Sequence, residues 1–222
     1  MKGKKFIASY SGGKDSTLAI YKAINLGMIP LTFITTYNTD RDYSWTHGIP
    51  ETTMADISHS INIPILLIKT TTNEYAKDFE KALSEQKEAG AEVCVFGDID
   101  IEGHFEWCSQ RCKNAGLEAF FPLWKRNRKD VVFEFIENGF QTYITVIDTE
   151  RMNINHLGKI LTKERAELIS AEGADICGEN GEYHTFVSDG PIFKNKLCVN
   201  FGEQIIKGKY AILPIENSFC EK

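Results

Sequence analysis

What this chain lacks narrows it first. No stretch approaches the ~18 consecutive apolar residues of a membrane-spanning helix. There is no basic surplus: 25 Lys and Arg stand against 31 Asp and Glu, a formal net charge of −6. Nucleic-acid binders carry a clustered positive excess, so a nucleic-acid partner is disfavoured. The single basic run, "KRNRK" at 125–129, precedes an apolar-periodic segment and reads as the solvated start of a helix. Cysteine is neither dense nor framed in pairs: Cys94, Cys108, Cys112, Cys177, Cys198 and Cys220 are scattered. Cys108 and Cys112 share a helical face but have no second pair at zinc spacing, so they read as small buried hydrophobes. No signal peptide precedes Phe6, and reduced thiols in a cytoplasmic protein are expected. Internal repeats and low-complexity stretches are absent.

What is present is an ordinary globular composition, 42% hydrophobic and 25% charged over 222 residues, enough for a sizeable core. The first half alternates strand and helix. "KFIASY", "PLTFITTY", "PILLIK", "EVCVFGD" and "LEAFFPLW" read as strands. Between them Ser16 is expected to cap a helix that Gly27 stops, and Pro50 to open a second. Asn73 is expected to cap a third, carrying Tyr75, Phe79 and Leu83 at i+4 spacing, and a fourth ends at Gly116. Apolar strands separated by helices predict a doubly wound parallel sheet over residues 1–125. After about residue 125 the texture changes to "DVVFEFIEN", "TYITVID", a helix around 163–172 and strand-like runs through 192–214. A second, smaller α+β domain over 126–222 is expected, with the tail "ENSFCEK" frayed.

In such a sheet ligands lie beyond the carboxyl ends of the strands, at a reversal of strand order. Three polar segments belong there: 11–16, 38–49 and "GDIDIEGH" at 97–104. The first, "SGGKDS", is neither a Walker loop, which would need glycine where Ala8 stands, nor a G-x-G-x-x-G fingerprint. Ser11, Gly12 and Gly13 can curl into a nest of N–H donors, with Ser16 and its neighbours at the positive end of a helix. Lys14 is a cation suited to phosphates, and Asp15 can reach a Mg²⁺ that phosphates bring with them. A capped helix after a Gly-Gly turn would need neither charge.

Placed directly after the first strand, this S-G-G-x-D-S sequence resembles the hallmark of the N-type ATP pyrophosphatase (PP-loop) superfamily. The resemblance implies a sheet of the adenine-nucleotide alpha-hydrolase (HUP-like) type and cleavage of ATP to AMP and pyrophosphate. Further stretches resemble its diphthine–ammonia ligase family: "HGIP" at 47–50, "GDI" at 97–99, "PLW" at 122–124 and "CGENGEYHTFVSDGP" at 177–191. That family resemblance implies an AMP-forming ligase: ATP adenylates a carboxylate, the diphthine of elongation factor 2, and ammonia converts it to the amide. Ser11, Gly12, Gly13, Lys14, Asp15 and Ser16 match the pyrophosphate loop, and Gly97 and Asp98 the loop beside the nucleotide. Glu179, Asn180, Gly181, Glu182, His184 and Thr185 match the signature assigned to the substrate side. Where many members carry a basic, tyrosine-containing stretch after "GDI", this chain reads "DIEGHFEWCSQRC", which leaves another small carboxylate open as the substrate.

Amidation would need a carboxylate to hold ammonium and a base to take its proton, roles open to Glu179 or Glu182 and to His184. On spacing alone the same segment reads as a glycine turn flanked by solvated acids. His47 and His104 are weaker candidates for the substrate face, His104 reading equally as a helix-start residue. The family substrate's trimethylammonium group suits an aromatic face. Trp45, Trp107, Trp124 and Tyr183 stand in or near the relevant loops, Trp124 reading as core. Substitution of Trp45 or Trp107 is expected to raise the Michaelis constant for the acyl substrate and not for ATP. No glutaminase-like segment is apparent, so free ammonia is the expected nitrogen donor, and a homodimer is common at this size. Two other readings stay open: a PP-loop enzyme adenylating a tRNA base, and an ATP- or AMP-binding protein without turnover.

Overall fold

The computed structural model describes residues 1–39, 43–44 and 47–221, without the side chains of 43 and 44. In chain order the first elements are β1 (Lys5–Ser9), α1 (Lys14–Asn25), β2 (Ile29–Asn38), β3 (Tyr43–Ser44), α2 (Glu51–Ile61) and β4 (Ile65–Thr70). Then come α3 (Tyr75–Glu88), β5 (Val93–Val95), α4 (Glu102–Ala115), β6 (Glu118–Phe120), α5 (Arg128–Glu137) and β7 (Gln141–Asp148). The rest are α6 (Lys163–Ala171), β8 (Tyr183–Asp189), β9 (Leu197–Phe201), β10 (Ile205–Lys207), β11 (Tyr210–Ile212) and β12 (Ile215–Cys220). The chain forms two compact units, one of Met1–Ser11, Asp15–Trp45 and Asn62–Lys125, the other of Gly12–Lys14, Thr46–Ile61 and Arg126–Lys222.

The first unit is built on five parallel strands in the order β4–β2–β1–β5–β6, with β3 antiparallel to the end of β2. The order reverses between β1 and β5, where Ala8 lies opposite Val95. The central strands are buried on both faces: Ile7, Ala8, Val93, Cys94 and Val95 have no exposed surface. The edge strand β4 is less buried, with Leu66 and Lys69 exposed. One face of the sheet packs on Phe79 and Leu83 of α3 and on Cys108 and Cys112 of α4. All six cysteines are free thiols. Burial pushes the Cys108 thiol well above its ordinary value, with the charge of Asp98 adding to the rise, as expected for a packed hydrophobe.

The second unit carries an antiparallel sheet, β10–β11–β7–β8, and a separate pair, β12–β9. Its buried side chains include Val132 and Phe135 of α5, Ile144 and Ile147 of β7, Phe186 of β8 and Ile169 of α6. Phe135 stacks on Phe140 with ring centroids 4.8 Å apart. Asn127 caps α5 by accepting the N–H groups of Lys129 and Asp130. The basic run is absorbed in ion pairs, Arg128 with Asp175 at 2.7 Å, Lys129 with Glu167 at 3.5 Å and Arg126 with Glu134.

Three local expectations are corrected. Helix α1 begins at Lys14, two residues before the expected Ser16 cap, because the Gly12–Gly13 turn already delivers the chain into helical geometry. Helix α3 is preceded by Glu74 and not Asn73, and no side chain caps it. The expected frayed tail is strand β12, paired with β9 from Ile215–Phe201 to Cys220–Leu197. Ser218 Oγ donates to the Asp56 carboxylate of α2 at 2.6 Å and holds it there.

Candidate functional site

In the first unit the loops after β1 and β5 meet at the reversal of strand order. Gly97, just beyond β5, lies so close to the head of α1 that a Cβ there would stand 2.6 Å from the Ser16 nitrogen and 2.7 Å from the Asp15 carbonyl carbon. Both contacts are backbone, so only glycine fits. Ser11 N–H donates to Ser16 Oγ at 3.3 Å, and the two hydroxyls lie 3.1 Å apart. This fixes the entrance to α1, whose first N–H groups lack intrahelical acceptors. Beyond Gly97, Asp98 faces His104 Nδ1 at 3.3 Å. His104 is thus both a helix-start residue, the third of α4, and a carboxylate partner. Lys125, in left-handed geometry at φ 57°, donates its N–H to the Ile99 carbonyl and anchors the same loop.

In the second unit Gly12–Lys14 runs along the outer edge of β8. Val187 N–H donates to the Gly12 carbonyl at 2.9 Å, and Lys14 N–H donates to Thr185 Oγ1 at 3.1 Å. Gly12 adopts φ 83°, a conformation that L side chains resist, and a Cβ on it would collide with Ile49 Cδ1 at 2.4 Å. The Lys14 side chain is buried, its ammonium donating to the Cys177 carbonyl and lying 5.4 Å from the Tyr183 ring centroid. His47 donates Nδ1–H to the Thr185 carbonyl at 2.8 Å. Its ring closes over Gly13, where a Cβ would stand 2.5 Å from Cε1, and lies 5.0 Å from the His184 ring. Desolvation by the packed surroundings, helped by the Lys14 charge and opposed by the Thr185 bond, lowers its pKa to about 4. His47 is therefore a neutral imidazole at physiological pH.

The signature segment is a turn tied by its own side chains. Glu182 is buried and accepts both the backbone N–H and the side-chain amide of Asn180, each at 3.1 Å, with Arg151 at 3.7 Å. Glu179 is partly exposed and donates its N–H to Asp175. Gly181 sits at the apex of the turn with φ 84°. His184 is half-buried on β8, opposite Val146 of β7. Asp175, which sequence reasoning passed over, accepts from Cys177 N–H, Glu179 N–H and Arg128, and so shapes the approach to the segment. Its signal was an aspartate two and four residues ahead of the amides it binds, the spacing of side-chain-stabilised turns. Asp148 was also missed: it is buried and pairs with Lys209 at 2.7 Å and Arg151 at 3.7 Å.

Of the aromatic candidates, Tyr183 is buried with its hydroxyl on the Ile176 carbonyl. Trp107 packs on Tyr75 and Phe79 at 5.8 and 5.4 Å, with the Arg111 guanidinium over its ring. Trp124 is half-buried and stacks on Phe105 at 4.5 Å. Trp45 lies outside the described residues.

A sheet reversal as the place of the ligand is general to many nucleotide folds. Residues 4–119 match the family model of the diphthamide synthase N-terminal domain, and residues 127–219 that of the diphthamide synthase C-terminal domain. The chain belongs to the diphthamide synthase family. It is 35% identical over 108 residues to human diphthine–ammonia ligase and 34% identical over 108 residues to the rat protein. Each match covers 47% of this chain and 40% of the relative, so the chain spans about two fifths of the length of these curated relatives. A solved structure described as a "predicted subunit of tRNA methyltransferase" from Methanocaldococcus jannaschii overlaps 86% of this chain and 99% of its own, at 15% identity and TM-score 0.46. Among the described residues no helix is long and apolar enough to cross a membrane.

Proposed function

We propose that this family member is an ATP-dependent ligase that converts a carboxylate to an amide with ammonia. The carboxylate oxygen attacks the α-phosphorus of ATP, the bond to the β-phosphate breaks, and pyrophosphate leaves. Ammonia then attacks the acyl carbon, AMP departs with the bonding pair, and the proton shed by nitrogen passes to a base. The observation that carries the reading is the glycine cradle: Gly97, in the loop after β5 at the reversal of strand order, packs so closely on Ser16 N and the Asp15 carbonyl carbon that only glycine fits, which sets the head of α1 where such sheets take their ligands.

Ser11, Gly12, Gly13 and Ser16 serve the phosphates through amides and hydroxyls, and Lys14 through its charge. Gly97 and Asp98 serve the nucleotide side. Asp15 offers the hard oxygen that suits Mg²⁺, which when bound would neutralise phosphate charge. In the signature segment Glu179 is the group for ammonium, because the oxygens of Glu182 already hold Asn180 and Arg151. His184 is the base. His104 and His47 are assigned no proton transfer, since His104 faces Asp98 and His47, kept neutral by burial, gives its Nδ1–H to the Thr185 carbonyl. The acyl substrate is the diphthine named for the relatives, delivered on elongation factor 2, and the site of action is the cytoplasm.

The test is incubation with ATP, Mg²⁺, ammonium and diphthine-bearing elongation factor 2. Pyrophosphate, AMP and amide in equal amounts are expected. Release of ADP and phosphate, or pyrophosphate without an amide under every carboxylate tried, would overturn the reading.

A further inference from the structure

The signature strand β8 is assigned by resemblance to the substrate side, yet its contacts within the second unit run to the phosphate loop. Three hydrogen bonds make the connection. Val187 N–H reaches the Gly12 carbonyl, Lys14 N–H reaches Thr185 Oγ1, and His47 Nδ1–H reaches the Thr185 carbonyl, at 2.9, 3.1 and 2.8 Å. Strand β8 is the edge of its sheet, with β7 on one side only, and an edge strand presents unpaired amides and carbonyls. Gly12 and His47 occupy that edge. Thr185 is buried and receives both a loop amide through its hydroxyl and an imidazole through its carbonyl. Lys14 N–H is one of the first donors of α1, which have no acceptor within the helix. The Thr185 hydroxyl orients that donor and, with the Gly12 carbonyl bond, sets the turn that its neighbours share.

We infer that Thr185 and His47 are positioning residues of the phosphate loop: β8 shapes Gly12–Lys14 before any nucleotide arrives, and Thr185 does not touch the acyl substrate. The side chains act through backbone, Thr185 on the Lys14 amide and His47 by bracing the strand while roofing Gly13. The consequence for ATP rests on the ligase reading above; the loop geometry does not.

The experiment has two arms on the full chain, with Thr185→Val, Thr185→Ser and His47→Ala. In nucleotide-free protein, amide hydrogen exchange followed by NMR reads the Lys14 N–H directly. Slow exchange is expected in the wild type and Thr185→Ser, and loss of protection in Thr185→Val. Valine has nearly the volume and shape of threonine, and exchange at Ile144 and Phe186 in the sheet core checks that the unit stays folded. Should Thr185→Val fail that check, the same comparison is made with His47→Ala, whose change lies outside the strand and should weaken protection of the Lys14 amide. In the second arm the dissociation constant for ATP is measured. Loss of one buried hydrogen bond predicts a rise of about tenfold for Thr185→Val, rescued by Thr185→Ser, with the Michaelis constant for ammonium unmoved. A Lys14 amide that exchanges freely in the wild type, or stays protected when Thr185 lacks its hydroxyl, overturns the inference. So does a selective rise in the Michaelis constant for the acyl substrate. Failure of the wild type to bind ATP would instead refute the ligase reading and leave the exchange result to decide the loop.

Discussion

Gly97→Ala tests the cradle most directly. The added methyl would stand 2.6 Å from Ser16 N, 2.7 Å from the Asp15 carbonyl carbon and 2.9 Å from Ser16 Cα, where ordinary contact begins near 3.4 Å. No flexible side chain can yield, so the loop after β5 and the head of α1 must move apart by most of an ångström. Overpacking of a tight site costs about 1–3 kcal/mol, and contacts that are all backbone place this one at the upper end. With a urea slope of about 1–3 kcal/mol per molar, the unfolding midpoint should fall by about 1 M. Trp107 and Trp124 both lie in the first unit, so tryptophan fluorescence follows it. On the proposed ligase reading, ATP affinity should fall further than stability alone accounts for, because the displaced residues are those assigned to bind the phosphates. Gly103→Ala supplies the contrast: a Cβ there meets nothing within 4 Å, and it sits in the first turn of α4, so stability should hold or rise by up to about 1 kcal/mol. A Gly97→Ala protein with wild-type midpoint and wild-type ATP affinity would refute the cradle.

Two further outcomes follow from the packing. Burial pushes the Asp148 carboxyl up, but its bonds to Lys209 and Glu150 N–H and the charges of Lys209 and Arg151 bring it below its ordinary value of 3.8. A depressed carboxylate contributes stability that is complete above the unfolded value and disappears as pH falls through the folded one. Asp148→Asn should therefore be less stable than wild type at pH 7, with the gap in urea midpoint closing as pH drops below 3.8; a gap that widens there would contradict the assigned partners. Trp107→Ala should lower stability by about 2–3 kcal/mol, less than for a fully buried tryptophan, through loss of the Tyr75 and Phe79 contacts. The Michaelis constant for the acyl substrate should be unchanged; a rise without destabilisation would return Trp107 to the substrate face.

Much of the architecture was legible because it rests on local rules. Apolar runs such as "KFIASY" and "EVCV" between amphipathic segments demand a sheet covered on both faces, and the loop "SGGKDS" places glycines, a cation and a carboxylate at a strand-to-helix turn within six residues. Helix ends were read less well: at α1 a Gly-Gly turn starts the helix early, and at α3 an available asparagine is not used. Strand β12 was invisible in "IENSFC" because its mixed polarity becomes a strand only by pairing with β9 and bonding Asp56. The six-residue loop "SGGKDS" after the first strand, the doubly wound sheet that carries it and the acids and imidazole of "GENGEYHT" are thus read from the order of residues, while the position of the strand-order reversal is not. Only tertiary structure decided what those groups touch. It placed Lys14 on Cys177 and Thr185, made Glu182 a brace for Asn180, set His47 on the Thr185 carbonyl, and brought in Asp148 and Asp175. The Lys14–Thr185 bond joins positions 171 residues apart, and no periodicity or propensity acts across such a separation. Hydrogen-bond partners at that range are selected by the burial of the surrounding core, which is a property of the folded chain.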